Sequence, residues 1–252
     1  MQLAIVTGAG GGIGLATAQQ LFDMGMAIVG VGRSADKLEA MAAQLGDPAR
    51  VATLSVDLTA DDAPKKVVDL ALERFGRIDF LVNNAGIGSP KPLHETDDET
   101  LDQFLGIMLR APFRLARDVI PHMESGAGIV NVTSTFAVVG GRRGGAYSAA
   151  KGGLTSLTMH MACEYGPQGI RSNCVAPGVT MTDMVRERFN DPAFQKMNVD
   201  TTPYPRLGEV DDIASTIAFL CSPGGEFING QTIVVDGGWH NTKYLSPRIL
   251  NS

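Results

Sequence analysis

The chain has 252 residues, 44% of them hydrophobic and 19% charged, the balance of a globular protein with a substantial core and not of a disordered one. Its formal net charge is -6 and it has no Lys/Arg cluster, which argues against a polyanion-binding surface and against nucleic acid as a partner. No apolar run reaches the length of a membrane span, and Met1-Gln2-Leu3-Ala4-Ile5-Val6 lacks a basic leader, so the expected setting is the cytoplasm, away from the membrane.

Short apolar runs alternate with amphipathic stretches along the whole chain. Strand 2–7 is followed by a helix at about 13–25, strand 27–31, a helix at about 35–45 and strand 51–55. A helix over 62–75 leads to strand Phe80-Leu81-Val82, and one long helix over 97–123, after a loop holding Pro90 and Pro92, leads to strand 128–132. Helix 147–165, strand 171–175, helix 210–221 and strand 232–235 complete the series. This rhythm predicts an α/β fold: a single Rossmann-type, doubly wound domain spanning 1–252, with a seven-stranded parallel sheet.

The stretch 179–207 breaks the rhythm. It is long and carries Pro192, Pro203 and Pro205, and insertions of that kind at the carboxyl edge of such a sheet act as substrate lids. Met181, Met184, Val185 and Phe189 from it, with Phe136, Val138 and Val139 from the loop after the fifth strand, predict a largely apolar pocket.

Gly8, Gly12 and Gly14, around Ile13, follow the first strand and open the first helix. That context suits a dinucleotide: glycines let the backbone approach a pyrophosphate, and the helix N-terminus supplies amide donors and a favourable dipole. The second strand ends Val31-Gly32-Arg33-Ser34, without the carboxylate that would accept from a ribose 2′-hydroxyl. Arg33 and Ser34 suit a 2′-phosphate instead, so NADP(H) is favoured and NAD(H) remains open.

Tyr147 and Lys151, four apart in Tyr-Ser-Ala-Ala-Lys, fall on one helix face. An ammonium there is expected to favour the ionised phenol and make Tyr147 a usable general acid or base. Ser134, just past an apolar strand, is placed to hydrogen-bond a substrate oxygen. The cysteines Cys163, Cys174 and Cys221 and the four histidines show no ligand spacing, so no metal site is expected.

Together these motifs, Thr7-Gly8-x-x-x-Gly12-Ile13-Gly14, Asn83-Asn84-Ala85-Gly86, Ser134, Tyr147-x-x-x-Lys151, Pro177-Gly178 and Asp236-Gly237-Gly238, resemble the short-chain dehydrogenase/reductase family over nearly the whole chain. The resemblance implies that Asp57 and Leu58 flank the adenine, that Asn84, Ala85 and Gly86 pass behind the ribose, and that Val179 and Thr182 touch the nicotinamide carboxamide. It implies Ser134, Tyr147 and Lys151 as catalytic groups, with Tyr147 and Lys151 also contacting the cofactor. The implied activity interconverts a secondary alcohol and a ketone, on a small-molecule substrate, in a homotetramer. The alternatives are a redox-sensing regulator without turnover and an isomerase or epimerase that uses the cofactor transiently. One position departs from the family pattern: Met108 stands where an asparagine usually anchors a proton-relay water, and a thioether is a poor hydrogen-bond partner.

Overall fold

The computed structural model describes residues 1–88 and 91–250. Ser89, Pro90, Asn251 and Ser252, and the side chains of Asp183 and Met184, lie outside the described set. Seven parallel strands form one sheet in the order β3-β2-β1-β4-β5-β6-β7. They are β1 (Leu3–Thr7), β2 (Ala27–Gly32), β3 (Val51–Ser55), β4 (Phe80–Asn83), β5 (Gly128–Val132), β6 (Arg171–Pro177) and β7 (Thr232–Val235). The expected α/β, Rossmann-type class is what the chain adopts.

The central strands are continuous apolar runs because helices cover both faces. Ile5 sits opposite Val29 on β2 and Leu81 on β4, and alternation along β1 divides the core into two layers. Leu3 and Ile5 pack with residues of α3 (Ala63–Phe75), α5 (Ala111–Val119) and α6 (Gly145–Tyr165), among them Val67, Leu115 and Met161. Ala4 and Val6 pack on the other face with Ala18 of α1 (Gly12–Asp23), Leu38 of α2 (Ala35–Leu45) and Ile213 of α9 (Val210–Leu220).

The long helix expected over 97–123 is broken. It runs as α4 (Asp98–Leu105), a π turn over Gly106–Arg110, α5, and a 3₁₀ turn over Ile120–His122. Pro112 is the second residue of α5 and follows the π turn directly; with no N–H to donate back into that turn, it fits the change of helical register there. The π turn centres on Met108, which is fully buried. Helix α6 begins two residues before Tyr147, at Gly145. Within 179–207 the structure adds the short helices α7 (Asp183–Arg186) and α8 (Pro192–Asn198), and the tail ends in α10 (Pro247–Leu250).

From β1 the chain builds outward to β2 and β3, then returns to place β4 on the other side of β1. The crevice at the carboxyl ends of β1 and β4 is thus the switch point at which ligands bind in open α/β sheets.

Candidate active site

At that switch point the β1–α1 turn is shaped by absent side chains. Gly8 and Gly12 have φ of 68° and 53°, left-handed values that favour glycine. A Cβ on Gly14 would lie 2.1 Å from the Gly8 carbonyl oxygen, so only glycine lets α1 start so close to the strand. The start of α1 carries no side-chain cap and no acidic residue in its first turn, which leaves amide donors free to face an anion. Ile13 packs into the core layer beneath.

Thr7 and Asn84 join β1 to β4 across this turn. The Thr7 hydroxyl donates to Val82 O at 3.2 Å and accepts from the amides of Asn84 (2.9 Å) and Ala85 (3.0 Å). The Asn84 side chain donates to Thr7 O at 2.9 Å. Asn84 therefore braces the glycine turn, and a Cβ on Gly8 would reach within 2.8 Å of its amide nitrogen.

At the ends of β2 and β3, Arg33 and Ser34 are exposed. Ser34 is the N-cap of α2 and accepts from the Lys37 amide at 3.4 Å. Lys37 itself was missed by sequence reasoning. A Cβ on Gly10 would meet the Lys37 Cβ at 2.9 Å, so the lysine stem lies against the glycine turn. The signal was available, since a side chain at the third helical position leans back toward the helix start. A cleft of about 530 Å³ lies along this side of the turn, lined by Gly10, Gly11, Gly12, Lys37, Thr182 and Arg186 among others.

Asp57 is exposed and accepts from the Thr59 amide (2.9 Å) and hydroxyl (2.7 Å). Those bonds, with a smaller contribution from Arg33, hold its carboxyl below the usual carboxylate range against a small opposing effect of burial. Leu58 is buried beside it. Across the crevice Val179 O accepts from the Gly208 amide at 3.1 Å, and the Thr182 methyl would lie 3.5 Å from a Cβ on Gly12.

Tyr147, Ser134 and Lys151 converge beyond the end of β5. The phenol lies close enough to the Ser134 hydroxyl to be influenced by it, and Ser134 accepts from the Phe136 amide at 3.1 Å. The tyrosine ring meets Phe104 and Phe136 edge-on, at centroid distances of 6.3 and 6.4 Å. Burial in this aromatic box raises the Tyr147 pKa above its ordinary 10.0, and the Ser134 hydroxyl works in the opposite sense. The expectation that Lys151 depresses this pKa is thus corrected. Desolvation dominates, and the ammonium, 6.0 Å from the ring centroid, is not among the causes.

Lys151 is only 4% exposed and donates to Val132 O at 2.7 Å. Burial lowers its pKa to about 8, slightly opposed by Cys174, so the ammonium still predominates at neutral pH. A Cβ on Gly86 would lie 3.8 Å from its Nζ and 3.4 Å from the Met108 sulfur, which places the lysine head between the Asn-Ala-Gly turn and the π turn. Two neighbouring hydroxyls backed by a buried cation are an arrangement that can hold one oxygen and exchange a proton with it. No group of three or more His, Cys, Asp or Glu side chains able to hold a metal occurs among the described residues.

A glycine-shaped anion turn at the switch point of a doubly wound sheet, with a tyrosine–lysine centre facing it, defines a nucleotide-binding oxidoreductase. Residues 8–240 match the family model described as enoyl-(acyl carrier protein) reductase. The chain is 36% identical over 245 residues to a 7α-hydroxysteroid dehydrogenase of Bacteroides fragilis, covering 94% of this chain and 93% of that one. It is 38% identical over 242 residues to a cis-4-hydroxycyclohexanecarboxylate dehydrogenase of Sinomonas cyclohexanicum, covering 94% and 96%. Among solved structures it resembles a Brucella melitensis short-chain dehydrogenase/reductase described as a glucose/ribitol dehydrogenase (TM-score 0.91, 38% identity, 96% and 97% covered). A Burkholderia cenocepacia short-chain dehydrogenase in complex with NADP gives a TM-score of 0.87 at 32% identity, with 94% and 96% covered. A Brucella melitensis 3-ketoacyl-(acyl carrier protein) reductase complexed with NADH gives 0.86 at 32%, with 95% and 98% covered. The chain belongs to the short-chain dehydrogenase/reductase family.

Proposed function

We propose that this protein is an NAD(P)-dependent dehydrogenase/reductase that interconverts a secondary alcohol and a ketone, with Tyr147 as its general acid/base. The observation that carries the reading is the convergence of Tyr147 and Ser134 beside the buried Lys151, which lies on the same helix as Tyr147. The glycine turn and Asn84–Gly86 fit a dinucleotide, because the uncapped start of α1, with no acidic residue in its first turn, opens at Gly11 onto space where an added Cβ would meet nothing within 4 Å. A nicotinamide cofactor, when bound, supplies or accepts the hydride.

In reduction the Tyr147 hydroxyl gives its proton to the substrate oxygen, which Ser134 holds; in oxidation the proton returns. The resulting phenolate forms four residues along the helix from the Lys151 ammonium, whose remaining protons can hold ribose hydroxyls. Val179 and Thr182 lie on the nicotinamide side, and Asp57 and Leu58 on the adenine side. Arg33, Ser34 and Lys37 around Gly10 favour NADP(H) over NAD(H), since two cations and a hydroxyl suit a 2′-phosphate. The 179–207 segment acts as the lid of a single domain, and the substrate is a cyclic or otherwise apolar carbonyl, in keeping with the two dehydrogenases above.

A homotetramer is part of the same reading. The edge strand β7 is only half-buried, Phe219 and Phe227 are exposed near it, and Phe113 and Met159 are exposed on α5 and α6. No helix among the described residues is long and apolar enough to cross a membrane, and the proposed setting is the cytoplasm.

Purified protein given NADPH or NADH with a panel of cyclic and acyclic ketones is expected to oxidise the cofactor, faster with NADPH. Tight cofactor binding without oxidation across the panel would mean a sensor, and substrate conversion without net cofactor consumption would mean an isomerase.

A further inference from the structure

Outside the acid–base centre, Trp239, just past β7, is held by a ring contact and by two hydrogen bonds from its indole N–H. Its ring lies 6.3 Å from that of Phe136, tilted by 44°, and Phe136 in turn lies 6.4 Å from Tyr147. The three rings form a row that ends at the reactive phenol. The Trp239 indole N–H donates to the Thr201 hydroxyl at 2.9 Å and to Met197 O at 3.3 Å, both in the 179–207 segment.

The backbone that aims Trp239 is held from below. Asp236 accepts from the amides of Gly238 (2.9 Å) and His240 (2.8 Å) and pairs with His240 Nδ1 at 2.7 Å. Between them Gly237 and Gly238 adopt left-handed φ values of 64° and 86°. A Cβ on Gly237 would come within 2.9 Å of the Thr202 methyl, so the 179–207 segment is seated on this turn. Further along the tail, Arg248 donates through two nitrogens to Asp200, at 3.0 and 2.7 Å, and Ser246 donates to it at 3.0 Å. Two separate fastenings therefore tie the tail to the segment that lies across the pocket.

We infer that Trp239 is a specificity-determining residue: with Phe136 it forms an aromatic wall that receives the apolar ring of a cyclic substrate while the substrate oxygen lies at Ser134 and Tyr147. This rests on the alcohol–ketone reading above and deepens it. A short acyclic ketone held at Tyr147 covers Phe136 at most, whereas a ring or fused pair of rings extends along the row to Trp239. The lid bond gives the same residue a second duty, because seating the 201 region and presenting the ring are one conformation.

The test compares a fused bicyclic ketone such as 2-decalone with butanone, using NADPH and the whole chain. Trp239→Ala is expected to lower the bicyclic-to-acyclic ratio of kcat/KM by about tenfold, the value of one aromatic contact, mainly through KM. Trp239→Phe, which keeps a ring but no N–H, is expected to recover most of that ratio. A ratio that stays within about twofold of the wild type in Trp239→Ala, or an equal loss for both ketones, overturns the assignment.

Trp239 is also the only tryptophan of the chain, so its emission reports on the wall without any turnover. Should Trp239→Ala fail to fold, or should the wild type reduce neither ketone and the proposed function fall, a titration of the wild type decides. A saturable emission change with 2-decalone and none with butanone supports the wall, and no change with either overturns it.

Discussion

At the β1–β2 end of the crevice the geometry is made by atoms that are missing. Gly8, Gly10 and Gly14 leave room for Asn84, Lys37 and the Gly8 carbonyl, and every one of those clearances is 2.9 Å or less to a hypothetical Cβ. At the β5–β7 end it is made by atoms brought from afar. Phe136 comes from the loop after β5, Tyr147 from α6, Thr201 from the 179–207 segment and Trp239 from the tail. The first end leaves little room for a change of shape at Gly8, Gly10 and Gly14; the second can be re-lined piece by piece, which suits a family whose members act on different substrates.

The sharpest way to break this contrast is to remove the group at which the two ends meet. Tyr147→Phe is expected to lower kcat about a thousandfold, while cofactor affinity, followed by the fluorescence of the reduced nicotinamide, falls by less than about fivefold. Comparable losses in both would show that the phenol chiefly holds cofactor. Next in size, Gly14→Ala should destabilise the fold by about 3 kcal/mol or more, because its Cβ meets a backbone oxygen. Gly11→Ala, with nothing within 4 Å, serves as the control. Equal melting temperatures for the two variants would refute the tight-cradle account.

Lys151 gives a pH signature. Its folded pKa of about 8 lies below the ordinary 10.5, so between those values the unfolded chain binds the extra proton and stability rises with pH. The cofactor-free protein should gain up to about 3 kcal/mol relative to Lys151→Met across that window. Below about 8 the difference is constant. Burial of Cys174 and Cys221 raises their thiol pKa values from 9.0 and acts the other way above that pH, but both proteins share it. A flat difference in chemical-denaturation midpoints between pH 8 and 10 would show that the ammonium is not desolvated.

Arg33→Ala combined with Lys37→Ala is expected to raise KM for NADPH about tenfold and that for NADH far less. A uniform rise would place both cations on the pyrophosphate. The smallest effect belongs to Met108→Asn, for which a change in the solvent isotope effect on turnover, within about threefold in rate, is expected if the thioether blocks a proton path behind Lys151. An unchanged isotope effect removes Met108 from the relay question.

The same contrast explains what could be read from the sequence. Strands β3, β5 and β7 and helix α2 fall where the apolar periods place them, and the other strands differ by a residue or two at an end. The glycine turn is legible because a missing Cβ is written at the position that needs it. The break of the long helix at Gly106–Arg110 was not, because a π turn leaves the apolar period nearly intact. Helices α7, α8 and α10 span four to seven residues, too short for a period to register, although Asp191-Pro192 did mark a helix start. The rise in the Tyr147 pKa depends on Phe104 and Phe136, which are 43 and 11 residues away in sequence, and burial of that kind has no local signature. Trp239 escaped notice for the same reason, since its partners lie across the sheet's end.

The strand order has one more consequence, for how the chain is made. β2 and β4 flank β1, β3 adds to β2, and each strand from β5 to β7 pairs with the one synthesised just before it. On the ribosome every emerging strand thus finds its neighbour already formed, and the sheet can grow from its centre as synthesis proceeds. The glycine turn and its Asn84 brace are complete once β4 and the turn after it have emerged, whereas Trp239 follows β7 and is synthesised after every strand of the sheet.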